Sequence, residues 1–128
     1  MFLPYGTQAI DETDVQSVLE ALRSPFLTQG PRVETFERAV AERVGAKFCV
    51  AFCNATSALH CAVRALGVEA GAEGITSPNT FVASANCMAY CGVTPVFADI
   101  DPRTYNVTAG AIAERMTEKT RLVAANSR

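Results

Sequence analysis

The stretch FCVAFCNATSALHCAV, residues 48–63, joins two different patterns of side chains. Residues 47–52 form a short apolar run of the length of a buried strand. An apolar face of helical spacing follows, formed by Leu59, Ala62, Val63 and Leu66. Asn54, Thr56 and Ser57 lie between the two patterns. The stretch therefore predicts a buried strand that turns directly into a helix.

Two helices are predicted before this strand. Asp11 is placed to cap the first, Pro31 suits the first turn of the second, and Gly45 suits its end. An apolar stripe on the first helix is formed by Val15, Val18, Leu19 and Leu22. We expect the second helix to bury a face formed by Val33, Phe36, Val40 and Val44.

The alternation of strand and helix continues to the end of the sequence. Further strands are predicted at residues 75–77, 94–100 and 121–124. Helices are predicted to start near Thr56, Val82 and Thr108. This order favours an α/β fold with a mainly parallel sheet and flanking helices. Because the sequence stops with the fourth predicted strand, we expect the first half of a domain.

Composition limits the classes of function. Nearly half of the 128 residues are hydrophobic and the net charge is −2, which is typical of a globular protein without affinity for nucleic acid. No apolar run approaches the roughly 18 residues of a membrane span, and the first residues do not resemble a signal peptide. We expect a cytoplasmic protein. The five cysteines are predicted to be reduced, and their spacing does not favour a metal site.

The predicted turn between strand and helix offers an anion site. The first turn of a helix has unpaired N–H groups and the positive end of the helix dipole. Ala55 leaves room for a ligand, and the hydroxyls of Thr56 and Ser57 add donors. This combination suits a phosphate. The alternative is ordinary capping, in which the side chain of Asn54 or Thr56 satisfies the first turn and nothing binds.

A second loop is predicted at the same edge of the sheet. The segment TSPNTFVASANC, residues 76–87, follows the next strand and opens the next helix. Its Phe81 is placed to stack on a flat heteroaromatic ligand, although a phenylalanine in the core is the alternative. A phosphate site and an aromatic ring at one edge together indicate a planar phosphorylated cofactor.

Several separated motifs give the sequence a recognisable likeness. SPFLTQGP (residues 24–31), NATSALH (54–60) and TFVASANC (80–87), in this order, resemble the DegT/DnrJ/EryC1/StrS sugar aminotransferases. The resemblance implies a fold-type-I PLP-dependent transferase, in which residues 1–30 form an N-terminal helix and substrate-side loop. Residues 31–128 would then form the first half of the domain that binds pyridoxal 5′-phosphate (PLP). It also implies a homodimer as the complete enzyme.

The resemblance also implies roles for individual residues. Ala55, Thr56 and Ser57 match the turn that binds the cofactor phosphate, and Phe81 matches the ring stacked on the pyridine. The residues near the nucleotide sugar would be Tyr5, Phe26, Leu27, Thr28 and Gln29. Within the family, the motifs are most similar to enzymes of pseudaminic acid biosynthesis. These transfer an amino group from glutamate to C4 of a UDP-linked 4-keto-6-deoxy sugar.

No residue of this sequence is predicted to be catalytic. The family lysine that attaches the cofactor would lie beyond Arg128, and the two lysines present, Lys47 and Lys119, fall at the wrong edge of the predicted sheet. We therefore expect the 128-residue chain alone to be inactive. The alternatives are a non-catalytic truncated fragment and a PLP-dependent sugar dehydratase of the same superfamily.

Overall fold

A computed structural model of the chain describes residues 6–125. It contains two compact units, the first ending at Ala51 and the second beginning at Phe52. The division of the chain at residue 30 that the family resemblance implies stays a prediction. No helix in the described residues is both long and apolar enough to cross a membrane.

The first unit carries two helices whose ends follow the sequence signals. Helix α1 spans Glu12–Arg23, and the Asp11 carboxylate accepts hydrogen bonds from the N–H groups of Thr13 (2.8 Å) and Asp14 (3.2 Å). The Asp14 carboxylate accepts in return from the Asp11 N–H, which completes a capping box. Helix α2 spans Pro31–Val44 and ends at Gly45, whose φ of 68° is left-handed. The predicted caps are confirmed.

The predicted burial of α2 is wrong for the residues described. Val33, Phe36 and Val44 on α2 are exposed, and Val40 is half-buried. Ala41 is the one buried residue of α2, and α1 has none. The apolar spacing identifies a face suited to burial, but no other element of the first unit covers that face.

The predicted strand at residues 47–52 is also wrong. This segment has no regular secondary structure, and the side chains of Phe48 and Val50 are 77% and 65% exposed. It is held by a 2.8 Å hydrogen bond from the Ala51 N–H to the Glu37 carboxylate. A strand exists only through hydrogen bonds to a neighbouring strand, and none of the strands in residues 6–125 pairs with this segment.

The second unit is a parallel three-stranded sheet with helices. Its strands are β1 (Glu73–Thr76), β2 (Thr94–Phe97) and β3 (Thr120–Ala124), which lie in the order β2-β1-β3. Ile75 of β1 pairs with Val96 of β2 and Val123 of β3. The α/β fold with a parallel sheet is therefore confirmed. In chain order, the elements are α3 (Ala55–Ala65), β1 (Glu73–Thr76), α4 (Ala83–Ala89), β2 (Thr94–Phe97), α5 (Ala109–Arg115) and β3 (Thr120–Ala124).

The core of the second unit fixes helices α3 and α4 against each other. Gly74 of β1 allows close contact with α4, because a Cβ atom built on Gly74 would lie 2.6 Å from Met88 Sδ. The buried core residues are Val63, Cys87, Met88, Cys91 and Val93. Since Val63 belongs to α3, this core holds α3 near its C-terminal end.

Candidate functional site

The beginnings of α3 and α4 lie at the carboxyl edge of the sheet. The loops after these two helices meet at the opposite edge, where the Gly71 N–H donates to the Gly92 carbonyl at 2.8 Å. Beside them, the Thr94 N–H donates to the Ala72 carbonyl at 2.8 Å. In open α/β sheets, ligands bind beyond the carboxyl ends of the strands. The topology thus places Ala55, Thr56, Ser57 and Phe81 at the carboxyl edge of the sheet, where ligands bind in folds of this class.

Asn54 caps α3, but this cap does not use all of the free N–H groups in the first turn of the helix. The Asn54 Oδ1 atom accepts a 2.8 Å hydrogen bond from the Ser57 N–H, and the Asn54 carbonyl accepts from the Ala58 N–H. The N–H groups of Ala55 and Thr56 have no hydrogen-bond partner within residues 6–125. Of the two capping alternatives, Asn54 is the cap and Thr56 is not.

The hydroxyl groups of this turn differ in their surroundings. The Ser57 Oγ atom lies 3.4 Å from Cys53 Sγ, and the Asn54 Nδ2 donates to the same sulfur at 3.4 Å. The hydroxyl of the half-buried Thr56 has no partner in the part of the chain that the structure describes. No acidic residue lies in the first turn of α3. The turn therefore offers two N–H groups and the Thr56 hydroxyl to an anion, and the Ser57 hydroxyl can join them when the Cys53 thiol is the donor of that pair. The first turn itself adds no carboxylate.

Phe81 lies in the loop between β1 and α4 and is 73% exposed. The alternative of a core phenylalanine is thus wrong for the described residues. The Phe81 carbonyl accepts a 3.0 Å hydrogen bond from the Ser84 N–H. Thr80 Oγ1 and Ser84 Oγ lie 2.9 Å apart. The ring is accessible to a ligand while its backbone is held.

The predicted sugar-side loop belongs to the first unit. Phe26 and Leu27 are exposed, and the Ser24 hydroxyl lies within hydrogen-bond distance of the Phe26 carbonyl at 2.9 Å. Gln29 has a left-handed φ of 51°, an uncommon conformation for a residue with a side chain. Thr28, which lies between Leu27 and Gln29, is also exposed. Tyr5 lies outside the described residues.

A turn at residues 101–105 lies at the carboxyl edge of the sheet, after β2. The Asp101 carboxylate accepts hydrogen bonds from the N–H groups of Arg103 (2.7 Å) and Thr104 (3.1 Å), which lower the pKa of Asp101. The carbonyl of Tyr105, whose φ of 57° is left-handed, accepts from Asn79 Nδ2 at 3.5 Å.

Lys119 lies at the edge of the sheet opposite the beginning of α3. Lys119 precedes β3 at the amino edge of the sheet, where its carbonyl accepts a 3.0 Å hydrogen bond from the Glu73 N–H. A groove of about 630 Å³ lies at this amino edge, between the loop after α3 and Lys119. Lys47 belongs to the first unit, and its Nζ atom lies 5.2 Å from the centre of the Phe48 ring.

Sequence reasoning missed the contact of Cys53 with Ser57 and the pairing of Thr80 with Ser84. Each pair is four residues apart and spans the beginning of a helix, with its first residue outside the helix, so the pattern of apolar residues does not predict it. The position of Asn54 directly before the first helical residue was a usable signal, because asparagine is among the favoured N-cap residues.

Known proteins resemble this chain over most of its length. The model of the DegT/DnrJ/EryC1/StrS aminotransferase family matches residues 8–126. The spore coat polysaccharide biosynthesis protein SpsC of Bacillus subtilis is 43% identical over 122 residues, which are 95% of this chain and 31% of SpsC. The chain thus spans about a third of the length of this curated relative.

Solved structures share its fold. Helicobacter pylori PseC, an aminotransferase involved in the biosynthesis of pseudoaminic acid, matches with a TM-score of 0.90 and 37% identity. The match covers 95% of this chain and 33% of PseC. The PLP-form of Spr1654, a putative sugar aminotransferase of Streptococcus pneumoniae, gives a TM-score of 0.88 at 30% identity, covering 94% and 31%. These similarities confirm the predicted fold-type-I architecture, and with the family match they show that the chain belongs to the DegT/DnrJ/EryC1/StrS aminotransferase family.

Proposed function

We propose that this chain is the N-terminal portion of a PLP-dependent aminotransferase of pseudaminic acid biosynthesis. The proposed reaction transfers an amino group from glutamate to C4 of a UDP-linked 4-keto-6-deoxy sugar. Membership of the family supports amino transfer as the chemistry. The similarity to PseC supports the choice of sugar pathway.

The observation that carries this proposal is the set of unpaired donors at the beginning of α3. The N–H groups of Ala55 and Thr56 and the Thr56 hydroxyl have no partner within residues 6–125, while Asn54 occupies the Ser57 N–H. A phosphate group has the negative charge and the acceptor oxygens that suit free donors at the beginning of a helix. The residues present therefore fit the phosphate of PLP.

The second requirement is a surface for the pyridine ring. Phe81 lies at the same edge of the sheet and is 73% exposed, so its ring is available for stacking. In the proposed enzyme, Ala55, Thr56 and Ser57 bind the phosphate and Phe81 orients the ring. When bound, PLP carries the amino group from the donor to the keto sugar.

The remaining parts of the proposed enzyme concern its substrates and assembly. We assign Tyr5, Phe26, Leu27, Thr28 and Gln29 to the nucleotide-sugar side. The exposure of Phe26 and Leu27 is compatible with that role. We further propose a homodimer that acts in the cytoplasm, and a chain that is inactive alone because Lys119 lies at the amino edge of the sheet and Lys47 belongs to the first unit.

A chimaeric enzyme tests the proposal. This chain would replace the matched N-terminal third of H. pylori PseC, and the purified product would be assayed with glutamate and the UDP-linked 4-keto sugar. We expect amination at C4 that depends on added PLP. A matched chimaera carrying Thr56→Val and Ser57→Ala should lose most of this activity at limiting PLP and recover part of it at high PLP.

Two results would contradict the proposal. A folded, dimeric chimaera that binds no PLP would contradict the proposed role of α3 in binding the phosphate. A chimaera that binds PLP but aminates only a different keto sugar would retain the cofactor site and overturn the substrate assignment.

A further inference from the structure

We propose that Thr80 is a positioning residue for the ring of Phe81, acting through its hydrogen bond to Ser84. The inference rests on the proposed function, in which Phe81 stacks on the pyridine ring of the cofactor. It adds to that function a residue that holds the stacking ring without touching the ligand.

The ring of Phe81 is not held by packing. Phe81 is 73% exposed, and the next residue, Val82, is 59% exposed. A ring with so little packing takes its position from the backbone that carries it. The bonds that fix this backbone therefore decide where the ring lies.

Helix α4 begins without an ordinary cap. Its N-cap residue is Val82, which has a helical backbone and whose side chain makes no capping hydrogen bond. The hydroxyls of Thr80 and Ser84, 2.9 Å apart, link the chain before Phe81 to the first turn of α4. The Ser84 N–H donates to the Phe81 carbonyl at 3.0 Å. One hydrogen bond thus holds the chain before Phe81 and the other holds the Phe81 carbonyl, and both involve Ser84.

The preceding part of the loop is fixed independently. The Asn79 N–H donates at 3.1 Å to the Ser77 hydroxyl, which is 1% exposed at the end of β1. The Asn79 side chain reaches the Tyr105 carbonyl at 3.5 Å. Thr80 is therefore the last side chain that anchors the loop before Phe81.

The test compares single variants of the 128-residue chain. Thr80→Val removes the hydroxyl at nearly constant volume, and Thr80→Ser keeps a hydroxyl. Phe81→Ala removes the ring itself. Thr35→Val is the matched control, since the Thr35 hydroxyl makes a 2.9 Å hydrogen bond to the Pro31 carbonyl in the first unit.

The probe is pyridoxamine 5′-phosphate (PMP), which has the ring and phosphate of PLP but no aldehyde that could label Lys47 or Lys119. Its dissociation constant would be measured by titration, and the circular dichroism of the bound ring would report its orientation. Hydrogen exchange of the amides of residues 81–85 would report the loop directly.

We expect Thr80→Val to weaken PMP binding by about three- to tenfold, as suits the loss of one neutral hydrogen bond. It should also reduce the circular dichroism of bound PMP and speed exchange of the amides near Phe81. Thr80→Ser should restore all three properties, and Thr35→Val should change none of them. Recovery with serine would show that the hydroxyl, and not the threonine methyl group, holds the ring.

Other outcomes separate this inference from the proposed function. If Phe81→Ala weakens PMP binding and Thr80→Val changes neither the circular dichroism nor the exchange, Thr80 does not position the ring and the inference fails alone. If Phe81→Ala has no effect, the stacking role fails and the inference fails with it. A wild-type chain that binds no PMP overturns the proposed phosphate site as well.

Discussion

The side-chain oxygen of Asn54 lies 2.8 Å from the backbone nitrogen of Ser57, and this one bond settles how α3 begins. It satisfies the third N–H of the helix. The first two, of Ala55 and Thr56, have no partner within residues 6–125. Capping and anion binding are therefore compatible in the same turn, because they use different donors.

Replacement of Asn54 should separate the two roles. Asn54→Ala removes the cap and should lower the free energy of unfolding by about 1 kcal/mol. PMP affinity should change little, because the donors of Ala55 and Thr56 remain. Asn54→Asp should keep the cap but place a negative charge beside the phosphate, so stability should be retained and PMP affinity should fall.

Thermal melting of the free chain and PMP titration check both variants. Equal losses of PMP affinity in Asn54→Ala and Asn54→Asp would contradict the assignment of the Ser57 N–H to the cap and of the Ala55 and Thr56 N–H groups to the phosphate. Only the aspartate adds a charge, so only that variant should lose affinity.

The capping box of α1 predicts a dependence of stability on pH. A hydrogen bond from the Thr13 side chain and bonds from the N–H groups of Asp14 and Thr13 hold the pKa of Asp11 below its ordinary value of 3.8. An aspartate with a lowered pKa stabilises the folded state above its ordinary pKa, and this contribution is lost as the pH falls through the lowered value.

Asp11→Asn should therefore reduce the acid sensitivity of melting. We expect wild type to melt above the variant at neutral pH and the difference to shrink below the ordinary pKa of 3.8. The control is Asp99→Asn, because Asp99 is also exposed and accepts a backbone hydrogen bond, from the Ile100 N–H at 2.8 Å, but does not cap a helix. A melting difference for Asp11→Asn that stays constant from neutral to strongly acidic pH would show that the carboxylate charge is unimportant to the cap.

The contact between β1 and α4 predicts a core defect. A Cβ atom at position 74 would lie 2.6 Å from Met88 Sδ, and Met88 is fully buried. Gly74→Ala should therefore destabilise the second unit by about 1–3 kcal/mol through overpacking. Gly110→Ala is the control, because its nearest atom would lie 3.9 Å away and alanine favours a helix.

Addition of Met88→Ala tests the cause. The new methyl group would fill part of the space that the methionine leaves, so the double variant should be more stable than the sum of the two single losses predicts. Strict additivity in chemical denaturation would mean that the two side chains do not compete for space.

Local signals in the sequence predicted the fold well where their physical cause is local. Asp11 and Thr108 lie at the beginning of a helix and Gly45 at the end of one. Each acts through hydrogen bonds or backbone conformation within a few residues, and the structure has all three as predicted. Burial was less predictable. The stripe that includes Phe36 has helical spacing, but whether it is covered depends on distant residues, and no element of the first unit covers it.

The same distinction explains the errors at the site. Residues 47–52 have the composition of a strand, but strand structure needs a hydrogen-bonded neighbour that composition does not reveal. The turn at Asn54 was predictable, since cap and helix lie within four residues. The bond between Thr80 and Ser84 was not, because it depends on the path of the loop between them.

The positions of the lysines predict that the 128-residue chain has no transaminase activity of its own. Lys119 lies at the amino edge of the sheet, and Lys47 lies against Phe48 in the first unit. After incubation with PLP and reduction by borohydride, peptide mapping should find only partial, unspecific labelling of both. Stoichiometric labelling of one of them together with turnover of glutamate would refute the prediction.

The last prediction concerns the hydroxyl groups at the beginning of α3. Thr56→Val with Ser57→Ala removes two hydroxyl groups beside the proposed phosphate and leaves the backbone N–H groups in place. Hydrogen bonds to charged groups are worth about 1.5–3 kcal/mol each. Because about 1.4 kcal/mol corresponds to a tenfold change, the double variant should bind PMP on the order of a hundredfold more weakly.

The stability of the free chain should respond much less, because Asn54 and not Thr56 is the cap. A control with the same chemical changes is Ser17→Ala with Thr35→Val, since both hydroxyls bond carbonyls one turn earlier in α1 and α2. PMP titration beside thermal melting distinguishes the two roles. A lowered melting temperature with unchanged PMP affinity would mean that these hydroxyls serve the helix and that the phosphate site lies elsewhere.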